Sequence, residues 1–140
     1  MTATAEPLVT TRRRMPQRRQ GYTTSVTIGN ADFFLTANPN ADGSLGEVFI
    51  KFGKRGSTLR GLLEGVSISV SIGLQSGVPL ETFVSKYINM RFEPFGITDD
   101  PDLATVTSVL DFLNETTRAH LHIHRLDDKS RQLTLNGALR

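Results

Sequence analysis

The sequence predicts an α+β fold, a three-stranded antiparallel meander followed by about three helices packed on one face. Three observations predict it. Residues 22–52 hold three short β-branched and aromatic runs divided by turn formers. Residues 58–113 change to apolar residues at mostly helical spacing. The chain of 140 residues suits one domain and is long enough to bury a core.

Tyr22–Ile28 (YTTSVTI) reads as the first strand, with Val26 and Ile28 on one face. Gly29, Asn30, Ala31 and Asp32 are turn chemistry, so Phe33–Thr36 returns as the second strand of a hairpin. Asn38–Gly43 (NPNADG) is a second turn. It leads into Gly46–Phe52 (GEVFIKF), where Val48 and Ile50 share one face against Glu47, Phe49 and Lys51.

Thr58–Gln75 carries two competing periods. Leu59, Leu62, Leu63 and Val66 recur at helical spacing, whereas Val66, Ile68, Val70 and Ile72 alternate with serine as a strand would. Gly65 is the only turn former between Leu63 and Ile72, so the segment reads as one long buried helix. Its Gly and Ser content suits a helix lying close against a sheet. Gly77 fits a helix C-cap and Pro79 the first turn of a second helix, which runs to about Asn89 and buries Leu80, Phe83, Val84, Tyr87 and Ile88. Residues 90–96 (MRFEPFG) form a loop. Asp99-Asp100-Pro101-Asp102 has the chemistry of a helix start, and Leu103, Val106, Leu110 and Leu113 give the third helix its stripe.

Three regions follow: a flexible basic arm over 1–20, an α+β domain over 21–124, and a flexible tail over 125–140. No apolar run reaches the roughly 18–20 residues needed to cross a bilayer, and the N-terminus lacks the order of a secretory signal, so a cytoplasmic protein is expected. Cysteine is absent, which removes disulfides, thiolate metal sites and cysteine nucleophiles. The net charge of +2 is unevenly spread. Five of the sixteen basic residues (Arg12, Arg13, Arg14, Arg18 and Arg19) and one acid (Glu6) precede residue 20, leaving 11 basic against 13 acidic groups beyond it. A mildly acidic body does not suit nucleic-acid binding.

The sharpest local feature is Gly53-Lys54-Arg55-Gly56-Ser57-Thr58 between strand and helix. Glycines permit close backbone approach and a helix N-terminus favours anions, with Lys51, Lys54, Arg55 and Arg60 adding positive charge. Lys51, Lys54, Arg55, Gly56, Ser57, Thr58 and Arg60 are therefore the expected site for a nucleotide-like anion, although the order of a Walker loop is missing. The competing reading is an ordinary strand-to-helix turn with solvated charges. Arg91, Phe92 and Glu93 form a loop that could contact a ligand or partner, or be stapled by an Arg–Glu pair. His120, His122 and His124 alternate with Leu121 and Ile123, but no carboxylate stands at matching spacing, so no metal site is assigned. The arginines of the arm could grip phosphate backbones, yet only Tyr22 offers stacking nearby, and a solvated linker is the simpler reading. No catalytic constellation is present: the serines of SISVSIG have no base at suitable spacing.

Five strings together, RMPQRRQGYT (14–23), DGSLGEVFIKFGKRGSTLRGLL (42–63), SVSIGLQSGVPLETFV (69–84), MRFEPFG (90–96) and ATVTSVLDFL (104–113), resemble the TSCPD family. The version with Phe92-Glu93-Pro94 is similar to the module near the C-terminus of adenosylcobalamin-dependent ribonucleotide reductases. The resemblance implies a free-standing copy beginning where the large enzyme's barrel has finished. The radical-forming cysteine, the cobalamin site and the redox cysteines of that enzyme have no counterpart here. Some relatives of the module carry cysteines suited to metal, and Phe92 stands where one of them would.

The expectation is a non-catalytic accessory module, linked to nucleotide reduction through a separate reductase catalytic subunit. Cobalamin would enter only through that partner. An independent binder of a nucleotide-like anion and a nucleic-acid tether through the arm are the alternatives. The long apolar helix needs cover on both sides of a three-stranded sheet, so a homodimer is also expected.

Overall fold

The computed structural model describes residues 11–117. The expected tail, His120, His122 and His124 lie outside the described residues. Three strands, β1 (Tyr22–Ile28), β2 (Ala31–Pro39) and β3 (Leu45–Phe52), form an antiparallel meander in the order β1-β2-β3. The first hairpin turns on Gly29 and Asn30 alone, since Ile28 already pairs with Ala31. Glycine supplies the positive φ of 61° at the first of the two loop positions. Alternation then sets the faces. Val26 and Ile28, Phe33, Leu35 and Ala37, and Val48 and Ile50 point to one side and are almost fully buried.

That face meets the helices. α1 (Thr58–Gln75) contributes Leu63, α2 (Leu80–Tyr87) contributes Leu80, and a third helix, α3, begins at 109 and brings Val109, Leu110, Phe112 and Leu113 into the same cluster. The Phe33 and Phe52 rings stack at 5.1 Å inside it. α1 ends in a Schellman turn. Val78 N–H donates to the Gly73 carbonyl at 3.0 Å and Gly77 N–H to Leu74 at 3.3 Å, with Gly77 at φ 95°. α2 starts one residue later than expected, with Pro79 as its N-cap and Ile88 exposed beyond its end.

The helix reading of Thr58–Gln75 holds, but the reason for its serines is more specific than close packing. α1 runs antiparallel to β3 along the strand's free edge and its side chains complete the ladder. Ser71 Oγ accepts from Val48 N–H at 3.0 Å and donates to the Val48 carbonyl at 2.9 Å. Ser67 Oγ accepts from Ile50 N–H at 2.9 Å. Gln75 Nε2 donates to Gly46 O at 3.1 Å and Arg60 to Phe52 O at 3.3 Å. The glycines do not share this role: a Cβ at Gly61 or Gly65 would meet nothing within 4 Å, and one at Gly73 would strike Phe83.

The third helix corrects the sequence reading. Asp99–Asp102 does not start it. Asp99 N–H donates to Thr27 O, and the Asp99 carboxylate accepts from Thr27 N–H at 2.8 Å. Asp100 Oδ1 accepts from Asp102 N–H, an Asx turn. A two-stranded ladder, β4 (Gly96–Ile97) with β5 (Thr105–Val106), takes the place of the expected first turns. The cap is Ser108, whose hydroxyl accepts from Asp111 N–H at 3.1 Å. The buried Asp111 carboxylate gathers Asn89 N–H and Thr107 N–H in return.

Ser71→Ala leaves a buried N–H and C=O of Val48 without partners. It should cost about 1–3 kcal/mol in urea unfolding. Gly61→Ala and Gly65→Ala should each stabilise the isolated chain by about 0.5–1 kcal/mol in the same assay, whereas Gly73→Ala should destabilise it.

Candidate functional site

Residues 11–20, read from composition as a free arm, lie against the body. Arg13 N–H donates to the Gln75 carbonyl at 2.7 Å, and Arg12 Nε donates to Gln75 Oε1 at 2.8 Å. Arg13 pairs with Asp42 at 3.1 Å. Arg19 Nε meets Glu47 Oε1 at 2.6 Å, where Asn38 Nδ2 also donates at 2.8 Å. Glu47 is buried, so Arg19 neutralises a carboxylate that would otherwise be costly on the sheet's outer face. Three of the five arm arginines are thus committed to the body. Arg14 and Arg18 are exposed and have no side-chain partner among the described residues.

The glycine turn is largely self-satisfied. Ser57 is the N-cap of α1, accepting from Arg60 N–H at 3.2 Å and donating to the Lys54 carbonyl at 2.9 Å. Gly56 takes φ 73°, so glycine is required there for the turn itself. Lys54, Arg55, Gly56 and Thr58 are exposed. None of these residues, nor Ser57, lines either of two concavities among the described residues. Lys51 and Arg60 part from them. Both line a cleft of about 440 Å³ between the flank of α1 and the outer face of β2 and β3, together with Thr36, Phe49, Glu64 and Ile68.

Sequence reasoning found the two cations of this cleft and missed the rest. Phe49 carried the available signal, being an aromatic ring between Glu47 and Lys51 on the strand's outward face. The second concavity, about 500 Å³, lies at the other end of α1 beside Asn40, Ser44, Gly77 and Glu81, with Arg13 at its rim.

In the 90–96 loop, Arg91 and Glu93 are exposed and form no ion pair with each other. Phe92 packs on the core and its N–H donates to Thr107 O at 3.2 Å, an anchoring role. On α1 the residues turned away from β3 include Leu62, 65% exposed, Ile68 and Ile72, which leaves an apolar helix face in solvent.

A family comparison decides the kinship. The model of the TSCPD domain matches residues 8–120. The chain belongs to the TSCPD domain family. It is 51% identical over 131 residues to the vitamin B12-dependent ribonucleotide reductase of Streptantibioticus cattleyicolor, covering 87% of this chain and 22% of that protein. The same identity and share of this chain hold for the enzyme of Streptomyces clavuligerus, of which 14% is covered. The enzyme of Agrobacterium fabrum is 38% identical over 117 residues, 82% of this chain and 9% of that protein. The TSCPD chain therefore spans about a fifth or less of the length of these relatives. No solved structure matches it.

The described residues contain no histidine or cysteine that could ligate the cobalt of a cobalamin. Among the described residues no group of three metal-ligating side chains could hold an ion, and no helix is long and apolar enough to cross a membrane.

One titration follows from the Asp42–Ser44 turn on which the arm docks. The Ser44 hydroxyl and N–H, with Arg13 behind them, hold the Asp42 carboxyl at about 2. A lowered value means the contact is complete above the unfolded-state range, about 4, and is lost as pH falls through about 2. An NMR titration should show the Asp42 carboxyl and the Ser44 amide moving together in that window, and Asp42→Asn should remove the transition from Ser44.

Proposed function

We propose that this TSCPD chain is a non-catalytic accessory module of cobalamin-dependent ribonucleotide reduction in the cytoplasm. It contributes binding to the catalytic part of a reductase and no group to the radical chemistry. One observation carries the reading. The chain aligns at 51% identity with 14–22% of reductases and contains no cysteine in its 140 residues.

The surface supports a docking role. Leu62, Ile68 and Ile72 form an apolar face on a helix already anchored to the sheet by its opposite side. Such a face is suited to burial against a larger body. The arm does not favour nucleic acid, because Arg12, Arg13 and Arg19 are occupied by Gln75, Asp42 and Glu47.

The test pairs the purified chain with a related reductase from which the equivalent segment has been deleted. The chain should co-purify with the truncated enzyme and raise its turnover, and Leu62→Glu with Ile72→Glu should abolish both effects while leaving circular dichroism unchanged. Deoxynucleotide formation by the chain alone, given adenosylcobalamin and a dithiol, would refute the reading. So would a failure to associate.

A further inference from the structure

We propose that the cleft between α1 and the outer face of β2 and β3 binds a nucleoside monophosphate. The inference rests on the cleft alone and is independent of any association with a reductase.

The position of α1 makes this cleft. Because the helix lies along the free edge of β3, one flank projects past the sheet and stands over its outer face. Arg60, Glu64 and Ile68 are spaced by four, so they form one row on that flank, a wall of about 12 Å at 1.5 Å per residue. Phe49 and Lys51 are two apart on β3 and point to the same side, and Thr36 is the cross-strand partner of Phe49. The enclosed volume of about 440 Å³ falls within the range of small-ligand sites.

The side chains sort into three functions. Lys51 and Arg60 face the cleft from opposite walls. Arg60 spends one N–H on the Phe52 carbonyl, which fixes its guanidinium and leaves further donors free. Lys51 Nζ has no partner among the described residues. Two cations on facing walls suit one phosphate group. The half-buried Phe49 ring and the exposed Ile68 side chain supply an apolar slot in which a flat ring can stack. The Glu64 carboxylate, unpaired among the described residues, accepts hydrogen bonds from hydroxyls, and Thr36, whose hydroxyl shares a hydrogen bond with Thr23 at 2.9 Å, lines the sheet side of the cleft.

Glu64 also sets the class. It stands one turn from Arg60, so a polyphosphate or a nucleic-acid backbone would bring negative charge against it. A single phosphate joined to hydroxyls and a ring matches the row.

Isothermal titration in phosphate-free buffer should show saturable 1:1 binding of AMP or UMP. Adenosine, ribose 5-phosphate and inorganic phosphate should each bind at least about tenfold more weakly. Lys51→Gln and Phe49→Leu should each weaken nucleotide binding by about tenfold or more, the loss expected for one charge-assisted hydrogen bond or one stacking partner. Amide shifts on titration should centre on residues 49–51 and 60–68. The proposal fails if neither nucleotide saturates the chain at millimolar concentration, if inorganic phosphate binds as tightly as AMP, or if Lys51→Gln has no effect. Loss of binding on Lys54→Ala with Arg55→Ala alone would move the site to the glycine turn and overturn it as well.

Discussion

The serine contacts between α1 and the free edge of β3 organise this domain. A strand at the edge of a sheet presents a row of unpaired N–H and C=O groups, and here a helix, not another strand, satisfies them. The match depends on two step lengths. Four residues of helix advance about 6.0 Å and two residues of strand about 6.8 Å, so Ser67 and Ser71 meet Ile50 and Val48 in succession. The steps differ, and the mismatch grows away from the middle. Short hydroxyls bridge the centre, while the longer Gln75 and Arg60 side chains reach the ends at Gly46 and Phe52. Arg60 stands seven residues before Ser67, about 10.5 Å along the helix, so its long side chain has to reach back to Phe52.

The opposite edge is closed differently. At β1, residues 97–99 pair through the main chain: Gly29 N–H donates to the Ile97 carbonyl and Asp99 N–H to Thr27. The segment that does this contains Asp99-Asp100-Pro101-Asp102. Its acids are therefore spent on an edge and a turn, and the helix waits for Ser108. The pairing at β1 covers its 27–29 end, whereas α1 follows β3 from Gly46 to Phe52.

The same constraint explains what could be read from the sequence. The three strands and the extent of α1 were legible because Val26, Ile28, Val48 and Ile50 alternate and because Ser57 and Gly77 mark the helix ends. The serine alternation within α1 imitated a strand although only Ser67 and Ser71, four apart as a helix requires, meet β3; Ser69 is exposed and donates to the Gly65 carbonyl. The start of α3 was illegible because Asp-Asp-Pro-Asp and Thr-Ser have equal cap chemistry in one dimension, and only the free edge of β1 decides between them. Of the site, Lys51 and Arg60 were visible as cations. Their separation from Lys54 and Arg55 was not, since it follows from which side of β3 the helix occupies.

Placing α1 at the edge, instead of centred over the sheet, also sets how recognition and stability are divided. The inner stripe of the helix is turned to β3, so Ser67, Ser71 and Gln75 are buried and hydrogen-bonded to the strand. The outer stripe carries Leu62, Ile68 and Ile72 with no role in holding the fold. Ile68 stands where the two outward functions meet, on the wall of the cleft and within the apolar face. A partner covering that face would close one side of the cleft, and a ligand in the cleft would present its ring to the partner. Ile68 is thus the one side chain that the two proposed surfaces have in common.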